Sequence, residues 1–168
     1  MAPQVQGAYH LHQVFTQSPV QHDLSYFVYF SSATSVLGRY RQGNYAAANG
    51  FMDGLLQVRQ QHGLPATSIN FGPWAVDGES AGMAANGDNE ILAALPERQG
   101  FEVMANLLAT SLESESSLAQ VAVLPFHWQS QAVLELQESL ADGALQRLLA
   151  SRRKSAPSIQ ASANSMDA

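Results

Sequence analysis

The 168-residue sequence contains no cysteine, and Lys154 is its only lysine. Without cysteine, disulfide frameworks, cysteine-based zinc sites and thiol nucleophiles are excluded. No apolar stretch approaches the roughly 20 residues that cross a membrane, and the first residues lack the basic start and apolar run of a signal peptide. We therefore expect a cytoplasmic chain without a membrane partner.

Basic charge is scarce as well. Eight basic residues stand against fourteen acidic ones, which gives a net charge of −6. This balance is unsuited to binding a phosphate backbone, so nucleic acid is excluded as a partner. His10 and His12 lie two positions apart and do not share a helix face, so no metal site is predicted.

What the sequence does contain is apolar material, 46% of its residues, in short segments of two kinds. Helical spacing predicts helices over residues 7–16, 44–62, 96–110 and 131–151, and a single helical turn over 91–95. Dense apolar runs predict strands over residues 26–32, 66–71 and 119–126, each buried on both faces as in a parallel sheet. Alternating helices and strands are typical of an α/β domain with a doubly wound sheet.

Three strands are too few for a complete sheet of this type, which carries about six. No two glycines stand two positions apart, so the G-x-G turn that cradles a dinucleotide pyrophosphate is missing. We therefore expect a partial domain over residues 1–130, a helical linker over 131–151 and a disordered tail over 152–168.

One group of polar residues could carry chemistry. Ser32 closes the first predicted strand, at the carboxyl end where open α/β sheets bind their ligands. Tyr45 lies in the first turn of the next helix, and Asn49 follows four residues later on the same helix face. The residues alone leave two interpretations open: two hydroxyl groups aimed at one substrate oxygen, or a strand-end serine and a half-buried tyrosine with structural roles.

Three segments resemble one known family. They are FVYFSSA at residues 27–33, GNYAAAN at 43–49 and GLPATSINFGPW at 63–74. In order and spacing they are similar to the ketoreductase (KR) domain of modular polyketide synthases, which belongs to the short-chain dehydrogenase/reductase family. The resemblance begins at MAPQVQGA, residues 1–8, and continues to VLPFHW, residues 123–128.

The resemblance implies a fold and a reaction. The chain would form the C-terminal half of a doubly wound Rossmann-type parallel sheet, without the N-terminal glycine-rich half. It would reduce a β-ketoacyl thioester to a β-hydroxyacyl thioester in polyketide biosynthesis, with NADPH as the cofactor. Tyr45 would donate a proton to the carbonyl oxygen, Ser32 would hydrogen-bond that oxygen, and Asn49 would organise the proton relay.

The resemblance also implies a cofactor wall, a lid and a partner. Gly72, Pro73 and Trp74 would border the nicotinamide, and the loop around Gly82, Met83 and Ala84 would cover the substrate. The partner would be an acyl carrier protein that presents the substrate on phosphopantetheine. The missing N-terminal half and other synthase domains are further expected partners.

The sequence departs from the family at the position of the active-site lysine. Gln4 occupies this position, and Asn49 occupies the place where related reductases outside the synthases carry a lysine. Because neither side chain is cationic, we expect impaired activity, or none from the isolated chain. One alternative is a non-catalytic structural or docking remnant of a synthase that pairs with the missing half. Another is a reductase of free small substrates.

Overall fold

The computed structural model describes residues 2–17, 23–75, 91–113 and 120–139. In chain order the elements are α1 (Ala2–Gln17), β1 (Val28–Ser32), α2 (Thr34–Leu37), α3 (Gly43–Gln61), β2 (Thr67–Phe71), β3 (Trp74–Ala75), β4 (Leu95–Pro96), α4 (Glu97–Glu113), β5 (Gln120–Val123) and α5 (Gln131–Ser139). None of these helices combines the length and the apolar character needed to span a bilayer.

Three of the strands form a parallel sheet in the order β1-β2-β5. Ser32 at the end of β1 pairs with Phe71 at the end of β2, and Phe71 pairs with Val123 at the end of β5. The carboxyl ends of all three strands therefore lie at one edge of the sheet. The predicted α/β class and parallel sheet are confirmed.

Helices cover both faces of this sheet. On one face, Leu56 of α3 and Ala8 of α1 pack against Tyr29 of β1. On the other face, Ile69 of β2 packs with Met104 and other residues of α4. The sheet is thus a middle layer between α1 and α3 on one side and α4 on the other, as in a doubly wound fold.

The prediction that every strand is buried on both faces is wrong for two strands. All five residues of β2 are buried, but Phe30 of β1 is 57% exposed and β5 alternates between exposed and half-buried residues. The reason is position, because β2 is the central strand of the described sheet whereas β1 and β5 lie at its edges.

The helices differ from the prediction in start and in phase. Helix α1 begins at Ala2 rather than at residue 7, and the short helix α2 was not predicted. Phe51, Leu55 and Val58 lie at the helical spacing expected of the apolar face of α3, but only Leu55 is buried. The buried face instead includes the polar residues Asn49, Asp53 and Arg59, which apolar spacing alone cannot predict.

Residues 91–95 do not form the predicted helical turn. Leu92 bridges Phe126 in antiparallel fashion, and Leu95 belongs to β4. The backbone amides of Ala93 and Leu95 donate to the carbonyl oxygens of Pro125 and Pro73, at 2.7 Å each. Pairing with distant backbone therefore keeps this segment extended.

The last described helix, α5, packs on the rest of the chain. Val133 is buried in a cluster with Ala33, Leu92 and Phe126, and Leu136 packs against that cluster. The remainder of the predicted linker, from residue 140, and the predicted tail over 152–168 lie outside the described residues.

Candidate active site

The first turns of α3 carry two of the predicted site residues. Tyr45 is 44% exposed, whereas Asn49 is fully buried. The Asn49 side-chain amide Nδ2 donates to the backbone carbonyl oxygen of Tyr45 at 2.8 Å. This bond fixes the Asn49 side chain against the turn that presents the tyrosine.

Gln4 reaches the same amide from α1. Its Nε2 donates to Asn49 Oδ1 at 3.2 Å, and its side chain is half-buried. Both ends of the Asn49 amide are therefore occupied, one by α1 and one by α3. Gln4 takes a position from which it supplies a hydrogen bond to the site but no charge.

Ser32 lies half-buried at the carboxyl end of β1. Its Oγ accepts hydrogen bonds from the Thr34 amide at 3.2 Å and from the Thr34 hydroxyl at 3.0 Å. Because a hydroxyl oxygen has two lone pairs, these bonds leave the Ser32 O–H as the group free to donate. Within the described residues no hydrogen bond joins the Ser32 and Tyr45 side chains, and Ser31, not Ser32, bonds to α3 through the Asn49 carbonyl oxygen at 3.5 Å.

A buried polar cluster, which the apolar patterning did not predict, lies next to these residues. Five side chains from β1, α2, α3 and β2 form it: Ser31, Ser35, Asp53, Ser68 and Asn70. Two signals were available in the sequence. Ser68 and Asn70 alternate with the apolar residues Ile69 and Phe71 in β2, and Asp53 follows Asn49 by four residues on α3.

The predicted cofactor-wall residues follow β2, next to the end of β1. The Gly72 amide donates to the carbonyl oxygen of Val123 at 2.9 Å, and the Pro73 carbonyl oxygen accepts from the Leu95 amide at 2.7 Å. The Trp74 ring is half-buried, with its centroid 4.9 Å from that of Phe71. The predicted lid residues Gly82, Met83 and Ala84 lie outside the described residues.

Trp74 rests on the first turn of α4 at Gly100. A Cβ atom on Gly100 would clash with the Trp74 ring, so the glycine permits this close approach. The Phe101 ring of α4 also lies near, 5.9 Å from that of Trp74 between centroids. The position of Trp74 at the strand edge therefore depends on α4.

Three side chains with shifted pKa values lie around the buried Arg59, which is about 15 Å along α3 from Asn49. Burial raises the pKa of Tyr29 to about 12, although the Arg59 charge opposes this. Burial also lowers the pKa of Arg59, whose guanidinium lies 3.8 Å above the Phe27 ring. The pKa of His12 is lowered by burial and then by the charges of Arg59 and His62.

These shifts describe a buried part of the core rather than a reacting group. Arg59 Nη1 and Nη2 and the Tyr29 hydroxyl have no hydrogen-bond partner among the described residues. No group of three or more histidine, aspartate or glutamate side chains in the described part of the chain could hold a metal ion. The candidate site therefore remains the predicted group Ser32, Tyr45 and Asn49, with Gln4 bonded to Asn49.

Comparison with known proteins identifies the relatives of this chain. Residues 1–76 match the family model described as KR domain. Over 91 residues the chain is 47% identical to the mycocerosic acid synthase-like polyketide synthase of Mycolicibacterium smegmatis, a match that covers 54% of this chain and 4% of that protein. Over 146 residues it is 34% identical to the highly reducing polyketide synthase lcsB of Purpureocillium lilacinum, with 83% of this chain and 5% of that protein covered.

Solved structures agree with these relatives. The first ketoreductase of the tylosin PKS matches with a TM-score of 0.61 and 31% identity, over 80% of this chain and 28% of that one. A structure described as an A1-type ketoreductase matches with a TM-score of 0.67 over 88% of this chain and 29% of that one, and at 23% identity it shows the fold alone. The chain thus spans little more than a quarter of these solved chains and a few per cent of the curated relatives. By family model, relatives and solved structures alike, this chain belongs to the ketoreductase domains of polyketide synthases.

Proposed function

We propose that this chain provides the substrate side of a ketoreductase site that reduces a β-ketoacyl thioester to a β-hydroxyacyl thioester. The observation that carries the proposal is the arrangement of donors around Asn49. The Asn49 amide joins Gln4 to the backbone carbonyl oxygen of Tyr45, and the Ser32 hydroxyl is free to donate at the neighbouring strand end.

The proposed roles follow from the charge that develops during the reaction. When hydride adds to a carbonyl carbon, negative charge grows on the carbonyl oxygen, and positioned donors stabilise that charge. The exposed Tyr45 hydroxyl gives its proton to this oxygen, and the Ser32 O–H donates a hydrogen bond to it. Asn49 holds the turn that carries Tyr45 and relays the connection to Gln4.

The residues after β2 fit one end of the proposed cofactor, NADPH. When bound, NADPH supplies the hydride. Gly72, Pro73 and Trp74 would border the nicotinamide, which is supported by their place after β2, beside the end of β1 at Ser32. The missing Cβ of Gly72 serves close packing, since a Cβ there would lie 3.1 Å from Pro125 Cδ. The phosphates of the cofactor are held by residues from outside this chain, because the chain contains no G-x-G turn.

The proposed partners are those of a synthase. The substrate arrives on the phosphopantetheine of an acyl carrier protein, and the neighbouring synthase domains hold the site in register. The relatives are polyketide synthases of which this chain covers only a few per cent, which supports a partner carried on the same or a neighbouring polypeptide.

The test is NADPH oxidation with the N-acetylcysteamine thioester of a β-keto acid. We expect negligible turnover from the chain alone, and turnover once it is joined to the glycine-rich half of a ketoreductase domain. Robust turnover by the chain alone would contradict the expected dependence on that half. Absence of turnover from the joined protein, shown to be folded, would contradict the proposed reaction.

A second candidate function is docking without catalysis, and a specific surface supports it. Along α1 and the outer edge of β1, apolar side chains remain exposed: Tyr9, Leu11, Val14 and Phe30. A groove of ≈ 460 Å³ lies between the two elements. In this alternative the chain pairs with the missing half and Gln4 reflects lost catalysis. Co-expression with that half followed by size-exclusion chromatography tests the pairing, and failure of the two to co-elute would count against it.

A further inference from the structure

Asp53 is a buried carboxylate that is held by neutral donors. It is 7% exposed and lies on α3, four residues after Asn49. Ser68 Oγ donates to its Oδ1 at 2.6 Å, and Ser35 Oγ donates to its Oδ2 at 2.7 Å. Asn70 Nδ2 donates to the same Oδ2 at 2.9 Å. In the ranges that the structure describes, no Lys, Arg or His forms an ion pair with this carboxylate. The ion pair within those ranges joins Arg98 and Glu102, on α4.

Asn70 extends this arrangement to the end of β1. It is fully buried in the central strand, and its Nδ2 also lies 3.0 Å from Ser31 Oγ, 2.7 Å from Ser35 Oγ and 3.3 Å from the Ser32 carbonyl oxygen. An amide has two N–H groups, so these acceptors share them with Asp53. The Asn70 amide therefore ties β2 to the strand end that carries Ser32.

The cluster also contacts the backbone of two candidate site residues, Ser32 and Asn49. Ser35 Oγ lies 2.9 Å from the Ser32 carbonyl oxygen, and Ser31 Oγ donates to the Asn49 carbonyl oxygen at 3.5 Å. Through these contacts the carboxylate is connected to β1, α2, α3 and β2 at the edge of the sheet where the candidate site lies. Burying a charge is unfavourable unless it is fully hydrogen-bonded, so a carboxylate here enforces the placement of its three donors.

We propose that Asp53 is a positioning residue that acts through Ser32 and Asn49. Its carboxylate fixes the carboxyl ends of β1 and β2 and the start of α2 against α3, so that the Ser32 hydroxyl and the Tyr45 turn face one substrate oxygen. This inference rests on the proposed function for its catalytic consequence. The fixed position of Ser32 can be tested separately, by hydrogen exchange and without turnover.

Asp53→Asn is the sharpest perturbation. The substitution keeps the shape but replaces one acceptor oxygen with an NH2 group, which would then face a side chain that donates in the native cluster. Ile69→Val is the matched control, because Ile69 lies between Ser68 and Asn70 on β2 but packs on the opposite face of the sheet. Both variants perturb buried contacts of β2, Asp53→Asn from α3 and Ile69→Val within the strand, and only Asp53→Asn alters the polar cluster.

The kinetic test uses the chain joined to a glycine-rich half. Displacement of a reacting group by about 1 Å can cost about 10²-fold in rate, so we expect Asp53→Asn to lower kcat by about 10–100-fold with KM for NADPH unchanged. Ile69→Val should leave kcat per folded molecule unchanged. In a Ser32→Ala background, Asp53→Asn should cause a smaller additional loss, because the path through Ser32 is already removed and only the path through Asn49 remains. Equal losses in both backgrounds would overturn the proposal.

Hydrogen exchange tests the positioning without any turnover. The Thr34 amide donates to Ser32 Oγ, so its protection reports whether that hydroxyl is held in place. In the full chain, Asp53→Asn should speed exchange over residues 33–37 while Ile69→Val does not. Unchanged exchange in Asp53→Asn would overturn the proposal even if the wild-type protein reduces the thioester. A wild-type protein that fails to reduce the thioester, with the exchange difference present, would refute the proposed function and leave the positioning role supported.

Discussion

Replacing Gly100 with alanine tests the packing that places Trp74 beside the candidate site. Gly100 lies in the first turn of α4, and the added Cβ would clash with the Trp74 ring, whose Cε3 lies 3.2 Å from the Cβ position. The Trp74 ring also contacts the rings of Phe71 and Phe101. The ring must therefore shift or α4 must move away from the sheet.

The expected magnitude comes from two opposing effects. Overpacking of this kind costs about 1–3 kcal/mol, while alanine gains about 1 kcal/mol over glycine in a helix. Gly54→Ala on α3 isolates the second effect, because nothing lies within 4 Å of its Cβ position. Gly54→Ala should therefore stabilise the chain, and Gly100→Ala should be less stable than Gly54→Ala by about 1–3 kcal/mol.

Thermal unfolding monitored by circular dichroism measures this difference. For a domain of this size about 1 kcal/mol corresponds to roughly 2–4 °C in Tm, so the two variants should be clearly separated. In a Trp74→Phe background the cost of Gly100→Ala should shrink, because the smaller ring leaves room for the methyl group. If Gly100→Ala were as stable as Gly54→Ala, the Trp74 ring could not rest on α4 as described.

Two further predictions concern charge. Gln4→Lys places a cation beside Asn49 and should raise kcat of the joined protein by about 10²-fold, the low end of what an acid–base helper contributes. The control Gln6→Lys, on the exposed side of α1, should leave kcat unchanged. Equal effects of the two substitutions on kcat would contradict the role of Gln4. Tyr29 has a folded-state pKa of about 12 against about 10 when unfolded, so its contribution to stability is fully present below pH 10 and is lost as the pH rises through 12. Tyr29→Phe should therefore reduce the loss of unfolding free energy between pH 8 and pH 11, measured by denaturant unfolding. Tyr40→Phe, at an exposed position, should reduce that loss less. An equal loss in wild type and Tyr29→Phe would refute this prediction.

Much of the fold was predictable because its signals are local. The run of residues 66–71 predicted the buried central strand, and Gly63 after α3 adopts the positive φ of +69° that a C′ glycine requires. The alternation of helices and strands then led to a parallel doubly wound sheet. Motif spacing also placed Tyr45 and Asn49 on one helix, where the structure has them.

The errors share a physical cause, which is that burial depends on distant parts of the chain. Aspartate is a residue type found mostly at protein surfaces. The burial of Asp53 depends on hydrogen-bond donors from β2 and α2, which are distant in sequence. Segment 91–95 is short and apolar, and backbone pairing with residues near Phe126 keeps it extended. The closeness of Trp74 to Gly100 is likewise a tertiary contact with no counterpart in local sequence.

The most direct test of the central claim, a tyrosine-dependent ketoreduction, uses the chain joined to a glycine-rich half. The joined protein is given a β-keto thioester and NADPH that carries deuterium in the transferable position, and the product is analysed by mass spectrometry. We predict a β-hydroxy thioester with one deuterium, formed at least about 10²-fold more slowly by Tyr45→Phe, because that variant keeps the ring but has no proton to donate. Formation of the same product at equal rates by wild type and Tyr45→Phe would contradict the account, and so would unlabelled product.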